Sequence, residues 1–250
     1  MPDRPNIVPF PGARRVPPRA EAEPPPALEG VVVLRAGRRL LDGLTLRLPG
    51  RGATALLGPR GAGKSLALEV LAGLAAPDLG EVRALRPATA LVPRGSVALR
   101  RSVRANLLHA LRGVGVPRAD RPGRLQELLA LAALGPLADH PARELPPGEA
   151  RRLAIARALA SSPRLLLLDD PTRDLEPRAA AGVETLAAQC LAEGMALVIA
   201  TPDPLQAARL SERCIFMHRG RDLETAPTPE LLDRPRSDLV RAWLSGKLLT

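Results

Sequence analysis

Between the apolar run Ala53-Thr54-Ala55-Leu56-Leu57 and a segment of helical spacing lies Gly58-Pro59-Arg60-Gly61-Ala62-Gly63-Lys64-Ser65. This is the G-x-x-x-x-G-K-S pattern of a phosphate loop, set between an expected strand and an expected helix. The glycines let the backbone curl so that successive N–H groups converge on phosphate oxygens, and the helix adds its positive N-terminal end. Lys64 would reach the β- and γ-phosphates of a nucleotide and act on the transferred group, and the Ser65 hydroxyl would ligate Mg²⁺. The binding set runs through Gly58, Pro59, Arg60, Gly61, Ala62, Gly63, Lys64, Ser65 and Leu66. Of 36 lysines and arginines only Lys64 and Lys247 are lysine, and a guanidinium does not replace a compact ammonium inside such a loop. The alternative is a glycine-rich turn that arose by chance.

A second candidate is the acid pair Asp169-Asp170, delivered by the apolar run Leu165–Leu168. Ligand sites of α/β proteins lie at the C-terminal edge of the strands, where Asp169 would hold Mg²⁺ through water, opposite Ser65. The competing reading is two solvated turn residues. His109, His140 and His218 are scattered without metal-ligand spacing and read as surface or packing residues. Cys190 and Cys214 sit in apolar segments, as buried thiols in a reducing compartment would; a disulfide or metal pair is the other option. Trp243 reads as a packing residue of a C-terminal helix.

The elements that must position these groups follow from periodicity. Val31–Leu34 and Leu44–Leu48 read as strands, Ala53–Leu57 as a buried strand, and Lys64–Leu74 as a helix that stops before Pro77. Residues 94–146 are rich in Leu, Ala and Arg and broken by Pro117, Pro122, Pro136 and Pro141, which suits a lobe of short helices. Helical spacing returns from Gly148 to Ala160, and Leu165–Leu168 and Ala196–Ala200 read as buried strands. Strands alternating with helices imply a mainly parallel sheet, hence an α/β fold. Residues 1–26 hold nine prolines and little apolar pattern, which reads as a disordered or polyproline-like arm ahead of one domain over 27–250.

Composition sets limits. At 46% hydrophobic and 25% charged residues the chain is that of a folded protein rather than a disordered one. It contains no run of about 18 apolar residues and no signal-peptide pattern, which predicts a cytoplasmic protein. The net charge of +10 suits nucleic acid or an anionic membrane surface. With Phe10, Phe216 and Trp243 as the only aromatics, no stacking platform is available, and the arginine excess fits a general Arg, Ala, Leu and Pro bias. No nucleic-acid partner is expected.

Several segments, taken together and in order, resemble the ATP-binding subunits of ABC transporters. Gly73–Val82 looks like the stretch after that family's phosphate loop. Glu144-Leu-Pro-Pro-Gly-Glu-Ala-Arg-Arg-Leu-Ala-Ile-Ala-Arg-Ala-Leu159 is similar to its signature segment and helix, and Leu165–Pro177 to its second Walker motif and D-loop. The C-terminal stretch, with Gln206–Arg213, Phe216–Gly220 and Trp243–Leu248, is similar to the phosphate-importer branch. The resemblance covers about residues 28–225 and implies a RecA-like P-loop core with a mainly parallel sheet, antiparallel N-terminal strands and an inserted helical lobe. It implies ATP and Mg²⁺ as ligands and a homo- or heterodimer with a second ATP-binding subunit. That dimer would dock under membrane permease subunits on the inner face of the cell membrane, served indirectly by a solute-binding protein.

By the same resemblance Asp170 stands where the family has its general-base glutamate, and Gly148 and Glu149 keep the backbone N–H groups that reach the partner's nucleotide. The departures are extensive. The adenine-stacking aromatic falls at Ala36, the lid-loop glutamine at Arg94, and the signature serine and first glycine at Pro146 and Pro147. The switch histidine falls at Pro202 and the D-loop aspartate at Glu176. Proline offers no N–H, and Asp170 is one methylene short, so bound nucleotide with weakened hydrolysis is expected. The alternative is a non-hydrolysing partner of an active subunit.

Overall fold

The computed structural model describes residues 24–84 and 88–247, which leaves most of the arm expected over 1–26 outside the described residues. The described chain forms two compact units, one of residues 96–163 and 172–195, the other of the remaining segments before 96, over 164–171 and from 196 onward.

The second unit carries two sheets. In the smaller, β1 (Ala27–Arg35) lies between β2 (Arg38–Arg47) and β4 (Leu79–Arg83), antiparallel to both. Val31-Val32-Val33 drives β1 with side chains that suit a pleated surface. The strand is longer than that run because bulged registers carry the pairing on to Ala27 and Leu28. Ala36 and Gly37, both at positive φ (49° and 73°), turn the chain into β2, the backbone that a tight two-residue hairpin needs.

The larger sheet runs in the order β5-β6-β7-β3-β8-β9. β3 (Ala53–Leu57), β6 (Leu165–Asp169) and β7 (Ala196–Thr201) are neighbouring parallel strands in which every residue is buried. Such strands are covered on both faces and therefore read as continuous apolar runs. β5 (Thr89–Val92) and β8 (Arg213–His218) extend the parallel set, and β9 (Arg221–Pro227) closes it antiparallel to β8. The mainly parallel core and antiparallel N-terminal strands are thus as the sequence led one to expect. α1 (Lys64–Ala72) packs on this sheet and stops two residues short of expectation, because Gly73 turns left-handed (φ 71°) and donates to Glu69 O and Val70 O. Among the C-terminal elements α6 (Pro204–Leu210), α7 (Thr228–Asp233) and α8 (Asp238–Leu244), α8 brings Trp243 edge-on to Phe216, with ring centroids 5.2 Å apart.

The first unit is helical, with α2 (Val103–Gly113), α3 (Arg121–Leu131), α4 (Pro147–Ala158) and α5 (Pro177–Ala192). Ser102 caps α2, its hydroxyl accepting from Ala105 N at 3.2 Å. The buried Asn106 amide ties the preceding loop down by accepting from Leu99 N (2.9 Å) and donating to Ser102 O (3.0 Å). Proline opens α4 and α5 at positions whose N–H has no helical acceptor anyway. Among the described residues no helix is long and apolar enough to cross a membrane.

Candidate functional site

β3, β7 and β6 lie side by side, so the segments leaving their C-terminal ends meet in one place. These are the loop Gly58–Gly63, the tip Thr201-Pro202 and the pair Asp169-Asp170. Arg60, Gly61, Ala62 and Gly63 of the loop, Ala200 and Pro202, and both acids line a cavity of about 330 Å³ together with Lys64, Ser65, Leu66, Leu40 and Arg94. Arg60–Leu66 and both acids are therefore brought together at this strand edge.

The loop's shape depends on its glycines. Gly58 has φ 147°, and a Cβ there would lie 2.1 Å from Met217 O; Gly63 has φ 98°, and its Cβ would meet Leu41 Cδ2 at 2.9 Å. Neither place tolerates a side chain. The loop is also pinned from outside: Gly220 N donates to Ala62 O at 3.0 Å, and Asp42 N donates to Gly220 O at 3.0 Å. At its end the first amides of α1, those of Lys64, Ser65 and Leu66, have no carbonyl one turn earlier within the helix to bond. A curled loop pressed against the sheet and opening on a helix start is a fitting cradle for phosphate oxygens.

Lys64 is buried, and its Nζ donates to Gly58 O (2.7 Å) and Pro59 O (2.8 Å). Burial draws the ammonium down from 10.5 to about 8; Asp170 and Asp169 oppose that shift, and Arg94 adds to it. A group so short of solvation gains from an incoming polyanion.

The Ser65 hydroxyl donates to Asp169 Oδ1 at 3.0 Å, and both acids are buried, 7% and 8% exposed. Asp170 takes a left-handed backbone (φ 49°), with its N–H held by Ala200 O at 2.8 Å. A hydroxyl and a carboxylate are hard oxygen donors of the kind that Mg²⁺ prefers. Arg94 changes that setting. Leaving the end of β5, its Nη2 lies 3.3 Å from Ser65 Oγ and 3.8 Å from Asp169 Oδ1, and its Nε lies 3.7 Å from Asp170 Oδ2. With the guanidinium placed so, the donor set already faces a cation, and a divalent ion does not fit beside it.

Gly148 and Glu149 belong to the helical unit, in the first turn of α4. Pro146 caps that helix and Pro147 opens it, so the N–H groups offered there begin at Gly148. A Cβ on Gly148 would meet Ala179 Cβ at 2.8 Å, which gives this glycine a packing role between α4 and α5. The Glu149 carboxylate accepts from Arg152 at 3.1 Å, as an acid in a helix's first turn does along its own face.

One feature of the cavity escaped the sequence. Leu40 is 43% exposed yet lines it; its signal was the doublet Leu40-Leu41, in which one side chain faces the core and the next the cleft. Ala36 sits exposed in the β1–β2 turn and offers a methyl group only. Cys190 and Cys214 are separate buried thiols, both pushed up to about 12 by burial. Among the described residues no group of three or more His, Cys, Asp or Glu side chains is placed to hold a metal.

Residues 41–173 match the family described as ABC transporter. A phosphate import ATP-binding protein of Pyrobaculum aerophilum is 32% identical over 235 residues, covering 84% of this chain and 93% of that protein. A second, from Natronomonas pharaonis, is 31% identical over 240 residues, covering 85% and 84%. A solved ATP-binding cassette, a post-hydrolysis dimer bound to ADP and Pi, superposes with a TM-score of 0.73 at 24% identity, over 81% of this chain and 98% of that one.

Proposed function

The chain belongs to the ABC transporter family, and from that premise we propose that it is the ATP-binding, energy-coupling subunit of an importer for phosphate or another small solute. One observation carries the reading: the curled loop from Arg60 through Lys64 to Ser65, and Asp169, line a single cavity. ATP would enter with its β- and γ-phosphates on the loop amides, drawing the Lys64 ammonium away from Gly58 O and Pro59 O. The base would rest against Leu40, a weaker platform than an aromatic ring, whose stacking is worth about 1–3 kcal/mol per base.

The chemistry of the site is sparse. Asp170 is the group with the charge of a general base, and it would accept a proton from the water attacking the γ-phosphate. Its side chain is short and turned toward Arg94, and a misplacement of about 1 Å can cost about 10²-fold in rate. Pro202 has no group with which to contact the γ-phosphate. Pro146 and Pro147 thin the amides that α4 would present to a nucleotide held by a second subunit. Hydrolysis is accordingly slow, and closure of two subunits on ATP supplies the coupling. The partners are a second ATP-binding subunit, homo- or heteromeric, and permease subunits on the cytoplasmic face of the membrane. A solute-binding protein acts through the permease, and nucleic acid has no part. Support for phosphate as the solute comes from the two import proteins above and from the C-terminal run of the sequence.

A second reading has a specific observation behind it. The Arg94 guanidinium lies on both acids, which suits a subunit that binds ATP as a structural ligand beside an active partner. Steady-state turnover of the purified chain, measured against Lys64→Ala, separates the two. Turnover above that control supports a working ATPase, and turnover restored only by a partner subunit supports the structural role. If calorimetry finds no nucleotide binding at millimolar ATP, with or without Mg²⁺, both readings are lost.

A further inference from the structure

A nucleotide triphosphate site must balance the charge of its ligand, and two acids at the loop's mouth make a divalent cation the usual means. Here the chain supplies a cation itself. Arg94 leaves β5 through Pro93 and lays its guanidinium along Ser65, Asp169 and Asp170, reaching one of them with Nε and the other two with Nη2. The two carboxylates are thereby matched by two fixed positive charges, Lys64 on the loop side and Arg94 on the strand side. The acids are nearly buried while the Arg94 side chain is 43% exposed, so the guanidinium spans from the acid pair to open solvent. An incoming phosphate would meet it at that outer edge. A planar fork of N–H donors suits phosphate oxygens, and unlike a metal ion it cannot diffuse away.

We propose that Arg94 is the resident cation of this site, so that the chain binds ATP with little dependence on a divalent ion. Arg94 holds the Ser65–Asp169 pair on one side and takes phosphate oxygens on the other. A divalent ion must displace it to reach the same oxygens, at a cost in like-charge repulsion across a few ångströms. The inference rests on the nucleotide-binding reading above and adds the means by which the phosphate charge is met.

The test is the affinity for ATP by calorimetry on the whole chain, in excess Mg²⁺ and in EDTA, for the wild type, Arg94→Gln and Arg94→Lys. The wild type is expected to change by less than about threefold when Mg²⁺ is removed. Arg94→Gln, which frees the acids for a metal, should lose about tenfold or more in EDTA and recover in Mg²⁺. Arg94→Lys keeps the charge without the fork and should fall between them. A second measurement is direct: Mn²⁺ followed by paramagnetic resonance should bind the ligand-free Arg94→Gln protein more tightly than the wild type. A wild type that weakens about tenfold in EDTA overturns the proposal even if neither variant folds, since that titration needs no variant. ATP bound equally well with and without metal by both wild type and Arg94→Gln overturns the role of Arg94 while sparing the binding reading. Absence of binding in every condition sinks both.

Discussion

Replacing Lys64 with methionine should abolish ATP binding and yet stabilise the ligand-free protein near neutral pH. Lys64 is only 8% exposed, and its ammonium titrates at about 8 rather than 10.5, chiefly through burial. Keeping that group charged at pH 7 costs the folded state ~3 kcal/mol, at ~1.4 kcal/mol per pH unit between the two values. Methionine removes the charge and also the two hydrogen bonds to Gly58 O and Pro59 O, worth about 1 kcal/mol each. The balance favours the variant by ~1 kcal/mol at pH 7. The sign follows from proton counts. Between about pH 8 and 10.5 the folded wild type binds fewer protons at Lys64 than the unfolded chain, so its stability rises through that window. Lys64→Met lacks that rise, and the two stabilities should cross at about pH 9.

Few other groups cloud the reading. The chain has no tyrosine, and its other lysine is Lys247. Cys190 and Cys214, pushed up to about 12 when folded, ionise on unfolding above about pH 9 and lower the stability of both proteins alike. Urea unfolding from pH 7 to 10, followed by circular dichroism, gives the difference curve. Parallel profiles for the two proteins would refute the placement of a buried ammonium at the loop.

Gly58→Ala should lose about 3 kcal/mol or fail to fold, because its methyl group meets Met217 O at 2.1 Å in a backbone that side chains rarely adopt; the urea midpoint reports it. Asp170→Glu restores reach toward the attacking water and should raise turnover about tenfold over the wild type, whereas Asp170→Asn should bring it to the Lys64→Ala background. Trp243→Ala should cost about 3 kcal/mol by removing the ring that packs edge-on to Phe216, with little change in ATP affinity.

What could be read from the sequence was whatever is written in a short stretch of chain. The phosphate loop needs eight consecutive residues, and the strands β3, β6 and β7 are unbroken apolar runs because both faces are covered. The proline start of α4 is equally local. What could not be read depends on partners far along the chain. β1 reaches back to Ala27 because Arg47 and Arg83 pair with it from either side, and no window of β1 contains either. Gly220 pins the phosphate loop from 158 positions beyond Ala62. Arg94 read as a missing glutamine. Its contact with Ser65 and both acids arises because β5 and β6 are paired in parallel, a fact of topology that residue type does not announce.

The clamp at Gly220 has a mechanical meaning. One residue accepts from Asp42 of the small sheet and donates to Ala62 of the phosphate loop, while a Cβ there would strike Leu40 O at 2.5 Å. β2, the strand that would flank a base through Leu40, is therefore riveted to the loop that would grip its phosphates. Any ligand that pulls on one end of this cradle drags the other with it, so the cradle can tighten only as a single piece.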